Sequence, residues 1–221
     1  MTLFNEMRRV FDMREELENI PGYLHDTEGM ALYLFSKYSR GDIIEIGSFH
    51  GRSTTWIGRG LKERGTGKIY SIDPHMGITD KEFKGVDCPE ERQRHKIEFN
   101  VEDPTAQSYE GFLETLKKYK IKDIVEIIRK TSEKAKEDLP SGLTASLIFV
   151  DGDHTYEGVK KDIELYLPML GEDGVIAFHD FNQTFQGVFK AVTELISTGE
   201  YNTLQFNSLV LLTKNKSTKN K

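Results

Sequence analysis

The sequence predicts an α/β protein: a mostly parallel sheet covered by helices on both faces, finished at one edge by an antiparallel hairpin. Three observations predict it. Short apolar runs alternate with stretches of helical period between residues 42 and 180, and such alternation makes parallel sheets with crossover helices. Runs such as "DIIEIGS", "KIYSID" and "SLIFVD" end in polar or glycine residues, at the carboxyl ends of strands where open sheets bind ligands. The last two runs, in "YNTLQFNSLVLLTK" (201–214), adjoin with only Asn207 and Ser208 between them. That is too short for a crossover and right for a hairpin.

Each element follows from its pattern. Leu3, Phe4, Met7, Val10, Phe11 and Leu17 recur at helical spacing, with charged residues on the other face. "NIPGYL" breaks this helix through Pro21 and Gly22. A second helix is expected over 26–38, with Met30, Leu34 and Phe35 inward. "DIIEIGS" (42–48) is a strand, and "RSTTWIGRGLKERG" (52–65) is a helix stopped by Gly65. Further strands are expected at 68–73, 123–129, 146–151 and 174–180. The stretch from Pro74 to about Ser108 is polar and without clear period. Set beyond a strand's carboxyl end, it reads as a lid or substrate loop. The organisation expected is N-terminal helices over 1–40 packing on or capping the core, a main domain over 41–214, and a disordered tail over 215–221.

Bulk properties exclude more than they assign. Hydrophobic residues are 37% and charged residues 30%, ordinary for a globular protein. A net charge of −6 gives no electrostatic reason for a nucleic-acid or anionic-membrane partner. One cysteine, Cys88, rules out an internal disulfide framework and fits a reducing compartment. The start is charged throughout and has no signal-peptide core, and no run is long enough to span a bilayer. A cytoplasmic protein is expected. The first helix could pack on its own domain or on a second copy, which leaves a homodimer open.

"EIGSFHGRS" (45–53) joins the first strand to the next helix. Gly47 permits a tight turn, and Gly51 permits close approach of a ligand or of the helix. The pattern is neither G-x-G-x-x-G nor the G-x-x-x-x-G-K-[ST] phosphate loop. Asp73 ends the second strand, where a carboxylate can accept from both hydroxyls of a ribose bound over the turn; as a bare turn residue before Pro74 it has an ordinary alternative. Glu45 is odder. A carboxylate inside an apolar strand is costly unless it finds donors, and a cationic ligand or a ring of backbone amides would supply them.

The glycine turn, the acid closing strand two, the "DGDH" corner (151–154) and the terminal hairpin together resemble class I S-adenosylmethionine-dependent methyltransferases. More narrowly, they resemble the small-molecule O-methyltransferases of the catechol and macrocin types. The resemblance implies a Rossmann-like seven-stranded sheet, order 3-2-1-4-5-7-6, with strand 7 antiparallel. It implies that Glu45, Gly47, Ser48, Gly51 and Ser53 line the methionine and ribose part of S-adenosylmethionine. Asp73 would hold the ribose, Pro74 would lie against adenine, and Ser132 would reach the adenine edge.

The same resemblance implies a divalent cation held by Asp151, His179 and Asp180. Magnesium, which suits oxygen ligands, is the cation expected, but relatives usually carry an acid or amide pair after strand five. His179 departs from that pattern and would suit zinc, iron or nickel better; it is equally readable as a buried residue bonded to the backbone. Two residues compete as general base. Asp153 matches the macrocin-type position, and also reads as the cap of the following helix. His154 matches the catechol-type position and is narrowly favoured, because its ordinary pKa suits proton transfer near neutrality. The function expected is methylation of a small-molecule hydroxyl, of sugar or phenol type. An NAD(P)-binding oxidoreductase of the doubly wound class and a non-catalytic cofactor-binding protein stand as alternatives.

Overall fold

The computed structural model describes residues 3–76 and 104–215. Helices α1 (Leu3–Leu17) and α2 (Asp26–Tyr38) precede β1 (Asp42–Ile46), α3 (Arg52–Arg64) and β2 (Ile69–Ile72). Then come α4 (Pro104–Lys118), β3 (Val125–Ile128), the single turn α5 (Ser132–Ala135), β4 (Ala145–Val150), α6 (Tyr156–Tyr166), β5 (Leu170–Phe178), α7 (Gln186–Ser197), β6 (Tyr201–Phe206) and β7 (Leu209–Lys214). The seven strands form one sheet in the order β3-β2-β1-β4-β5-β7-β6. β7 runs antiparallel to both β5 and β6, and the other pairs are parallel. This is the order and sense that the resemblance implied.

Period two explains how the sheet holds both layers. Ile43, Leu147, Phe149 and Ala177 face one core with Trp56, Leu32 and Phe112. Ile44, Ile46, Ile148, Val150 and Phe178 face the other, with Val159, Tyr166 and Val192. The central strands are therefore buried on both faces, which is why they read as continuous apolar runs. The hairpin turns at Asn207, whose φ is 51, a left-handed conformation that asparagine tolerates.

Two boundaries differ from the sequence reading. β5 starts at Leu170 rather than 174, but its ladder with β4 shifts register and resumes at Val175, so the readable apolar run is the second part of the strand. Pro104 already opens α4, which moves 104–108 from the expected cover into a helix. Residues 77–103 of that expected cover lie outside the described residues, as do residues 216–221 of the expected tail. Among the described residues no helix is long and apolar enough to cross a membrane.

Candidate active site

Four strand ends are laced side by side by the first residue beyond each. Gly47 N–H donates to Ile72 O at 2.8 Å, and Asp73 N–H to Ile128 O at 3.2 Å. Asp151 N–H donates to Ile46 O at 2.8 Å, and His179 N–H to Val150 O at 3.0 Å. Parallel pairing thus extends one residue past each strand and fixes Gly47, Asp73, Asp151 and His179 along one rim. Sequence logic alone placed them there, because neighbouring strand ends converge.

Asp73 braces the glycine turn. Its Oδ2 accepts from Ser48 N–H (2.9 Å) and Phe49 N–H (2.8 Å), while Oδ1 accepts from His75 N–H (2.6 Å). The expectation that Asp73 meets a ribose leaves out this role, in which it orders the backbone on which a nucleoside would rest. Gly47 and Gly51 both take left-handed φ, 84 and 86, and Gly51 caps α3 without a side-chain bond. Asp73→Ala should therefore lower stability as well as ligand affinity, each by roughly 1–3 kcal/mol for donors left unpaired. Denaturant midpoints and calorimetry on the same variant would check this; unchanged stability would contradict the bracing role.

Glu45 corrects the sequence reading of its donors. It has no exposed surface, and accepts from three hydroxyls: Ser53 (2.7 Å), Thr54 (2.6 Å) and Ser71 (3.1 Å). Neither a cation nor backbone amides are needed. Burial pushes its pKa from 4.5 up to about 7, against the opposing pull of the three hydroxyls. Glu45 and Ser53 are spent on each other beneath the turn, so Glu45 supports the site from below rather than lining it.

Around the adenine positions, Ser132 opens α5 and its carbonyl accepts from Tyr166 OH at 2.6 Å. Pro74 is half-buried. Next to it His75, which the sequence reading passed over, is 2% exposed with φ 52. Its ring lies against Tyr109 and Phe112 of α4, and Nδ1 is 3.4 Å from Ser108 Oγ.

The corner after β4 and β5 is ionic. His154 Nε2 lies 2.9 Å from Asp180 Oδ2 and 3.6 Å from Asp151 Oδ1. His179 Nδ1 lies 3.3 Å from Asp151 Oδ1 and 3.4 Å from Asp180 Oδ2. Neither ring N–H is aligned for a directional hydrogen bond, so both nitrogens are buried without one. Asp180 turns into the corner through a left-handed φ of 56. Burial disfavours charge at each group, yet the carboxylates hold His154 up at about 10 and His179 well above its ordinary value. The histidines in turn hold Asp151 and Asp180 below theirs, also against burial.

Three expectations change here. Among the described residues, Asp151, His154 and Asp180 form a trio whose ligand atoms all lie within 4.8 Å of one another, so His154 joins the carboxylates that His179 Nδ1 also faces. His179 bonds to neither the backbone nor solvent with its far nitrogen; Nε2 is 3.1 Å from Glu28 Oε2. The cap of α6 is Thr155, which accepts from Gly158 N–H, while Asp153 accepts from Thr155 N–H at 2.7 Å. Asp153 therefore orders the turn and stands outside the ionic cluster.

A family model described as "Methyltransferase domain" matches residues 44–181, the span from β1 through the corner. An uncharacterized protein of Acanthamoeba polyphaga mimivirus is 26% identical over 192 residues, 83% of this chain and 72% of that protein. The solved calicheamicin methyltransferase CalS11 superposes with a TM-score of 0.65 at 17% identity, covering 96% of this chain and 94% of its own. The O-methyltransferase TomG from Streptomyces achromogenes, involved in tomaymycin synthesis and solved with S-adenosylmethionine, gives 0.60 at 14% identity, covering 94% and 89%. At these identities the structures establish the shared fold.

Proposed function

The chain belongs to the methyltransferase-domain family, and from that premise we propose that it moves a methyl group from S-adenosylmethionine to a hydroxyl of a small molecule. One observation carries the reading: the braced glycine turn and the ionic corner stand on the same rim, joined by the Asp151 N–H to Ile46 O bond. A cofactor over Gly47–Gly51, with its ribose toward Asp73 and its adenine between Pro74 and Ser132, would direct its sulfonium toward Asp151 and Asp180. The TomG complex supports the cofactor.

The corner's own residues do three things. Asp151 and Asp180 orient the acceptor hydroxyl, since their oxygens share one space with the ring nitrogens of His154 and His179. Phe185, whose ring lies 4.8 Å from that of His154, walls the corner against water. His154, held at about 10 by both carboxylates, keeps its proton at neutral pH, and would act as general base only with its Nε2 not occupied by a cation.

A divalent cation fits this donor set. His154 Nε2, buried beside Asp151 and Asp180 without a directional hydrogen bond, would become a nitrogen ligand on losing its proton, and those three residues would hold the ion. When bound, it would supply a Lewis acid that lowers the acceptor hydroxyl's pKa. The imidazole favours a transition metal over magnesium.

The test is transfer of labelled methyl to a panel of hydroxylated small molecules. Once an acceptor is found, Asp180→Ala should lose roughly 10²–10⁴-fold in turnover, with affinity for S-adenosylhomocysteine retained. An Asp180→Ala variant with wild-type turnover would remove the corner from the chemistry.

A further inference from the structure

Glu28 lies on α2, far in sequence from every residue of the corner, yet it has no exposed surface. Its four bonds reach three separate segments. Oε2 accepts from His25 N–H (2.7 Å) and meets His179 Nε2 (3.1 Å). Oε1 accepts from both N–H and Oγ–H of Ser208, each at 2.8 Å, in the turn between β6 and β7. A carboxylate so placed is costly to bury without donors, and here both oxygens are matched by two.

The consequence falls on His179. Its ring is 4% exposed, with one nitrogen on Glu28 and the other, unbonded, facing Asp151 and Asp180. A histidine held through one nitrogen by a carboxylate presents the other at a fixed angle, the arrangement by which outer carboxylates orient metal-ligating histidines. We propose that Glu28 is a positioning residue of the corner: it fixes the His179 ring so that Nδ1 adds a nitrogen donor to the cation site of Asp151, His154 and Asp180. This rests on the reading that the corner takes a cation. It makes the N-terminal helical layer and the β6–β7 turn part of the site's second layer, and it gives His179 a purpose where an acid or amide would be the usual residue.

The probe is cobalt(II) alone, titrated into the metal-free full chain and followed by calorimetry and by visible absorption. The wild type should bind, and Asp180→Ala should not. Glu28→Gln should lower affinity by roughly 10–100-fold and change the absorption spectrum, because the donor at His179 is misaligned. Lys62→Ala, which removes a surface ion pair with Asp123 and bonds neither Glu28 nor His179, should keep both affinity and spectrum. If Glu28→Gln fails to fold by circular dichroism, Glu28→Asp keeps the charge but shortens the reach, and should shift affinity and spectrum in the same direction. A folded Glu28 variant with wild-type affinity and spectrum would overturn the positioning role and leave the cation reading standing. A wild type that takes up no cobalt would overturn the cation reading, and this proposal with it.

Discussion

Replacing Gly47 with valine is expected to cost roughly 2–5 kcal/mol of folding stability and to abolish binding of S-adenosylhomocysteine. Two effects add. The backbone is left-handed there, φ 84, which penalises a side chain by about 1–2 kcal/mol. A Cβ would also stand 2.6 Å from the Asp151 carbonyl carbon and collide with its oxygen, and such overpacking costs roughly 1–3 kcal/mol. The neighbour is backbone, pinned by the Asp151 N–H to Ile46 O bond, so it cannot swing aside as a flexible side chain would. Relief must come from parting β1 and β4 at their ends, and that displaces the turn and the corner together. Denaturant unfolding and calorimetry on one preparation would check it; near-wild-type stability would mean that the two strand ends are not held as described.

Glu45 should make the chain less stable as pH rises from 4.5 to about 7. Its folded pKa stands near 7 against an ordinary 4.5, so within that window the unfolded chain releases a proton that the folded chain keeps. Proton binding favours the fold, and the advantage disappears as pH climbs through the folded pKa. Below 4.5 both states hold the proton and the residue contributes no slope; above about 7 the loss is complete. The group is wholly buried, so the change should be roughly 3 kcal/mol, at about 1.4 kcal/mol per pH unit. Glu45→Gln can still accept from one hydroxyl and donate to another, and should remove this component of the slope. Stability curves at pH 5, 6, 7 and 8 for both proteins would show it, and parallel curves would contradict the assignment.

The positions along the rim were legible, because strand ends are marked by where apolar runs stop. Gly47, Asp73, Asp151 and His179 all follow from that single rule, with Asp180 one residue beyond. Side-chain direction was not. That both His154 and His179 face Asp151 and Asp180 depends on the left-handed turn at Asp180 and on Glu28 claiming the far nitrogen of His179. Neither is visible in the local pattern around residue 179. Glu28 itself had a faint signal: it precedes Leu32 and Phe35 by four and seven residues, so it sits on the inward face of a helix where a carboxylate is out of place. The hydroxyls around Glu45 were equally hidden, since Ser53, Thr54 and Ser71 reach it from the next helix and the neighbouring strand.

The proposed function requires that the turn braced by Asp73 hold S-adenosylmethionine beside the ionic corner. Calorimetry of the full chain with S-adenosylhomocysteine, and separately with NAD, tests it most directly. S-adenosylhomocysteine should bind, Gly47→Val should abolish that binding and Asp73→Ala should weaken it, and NAD should give no heat. Binding of NAD with none of S-adenosylhomocysteine would contradict it.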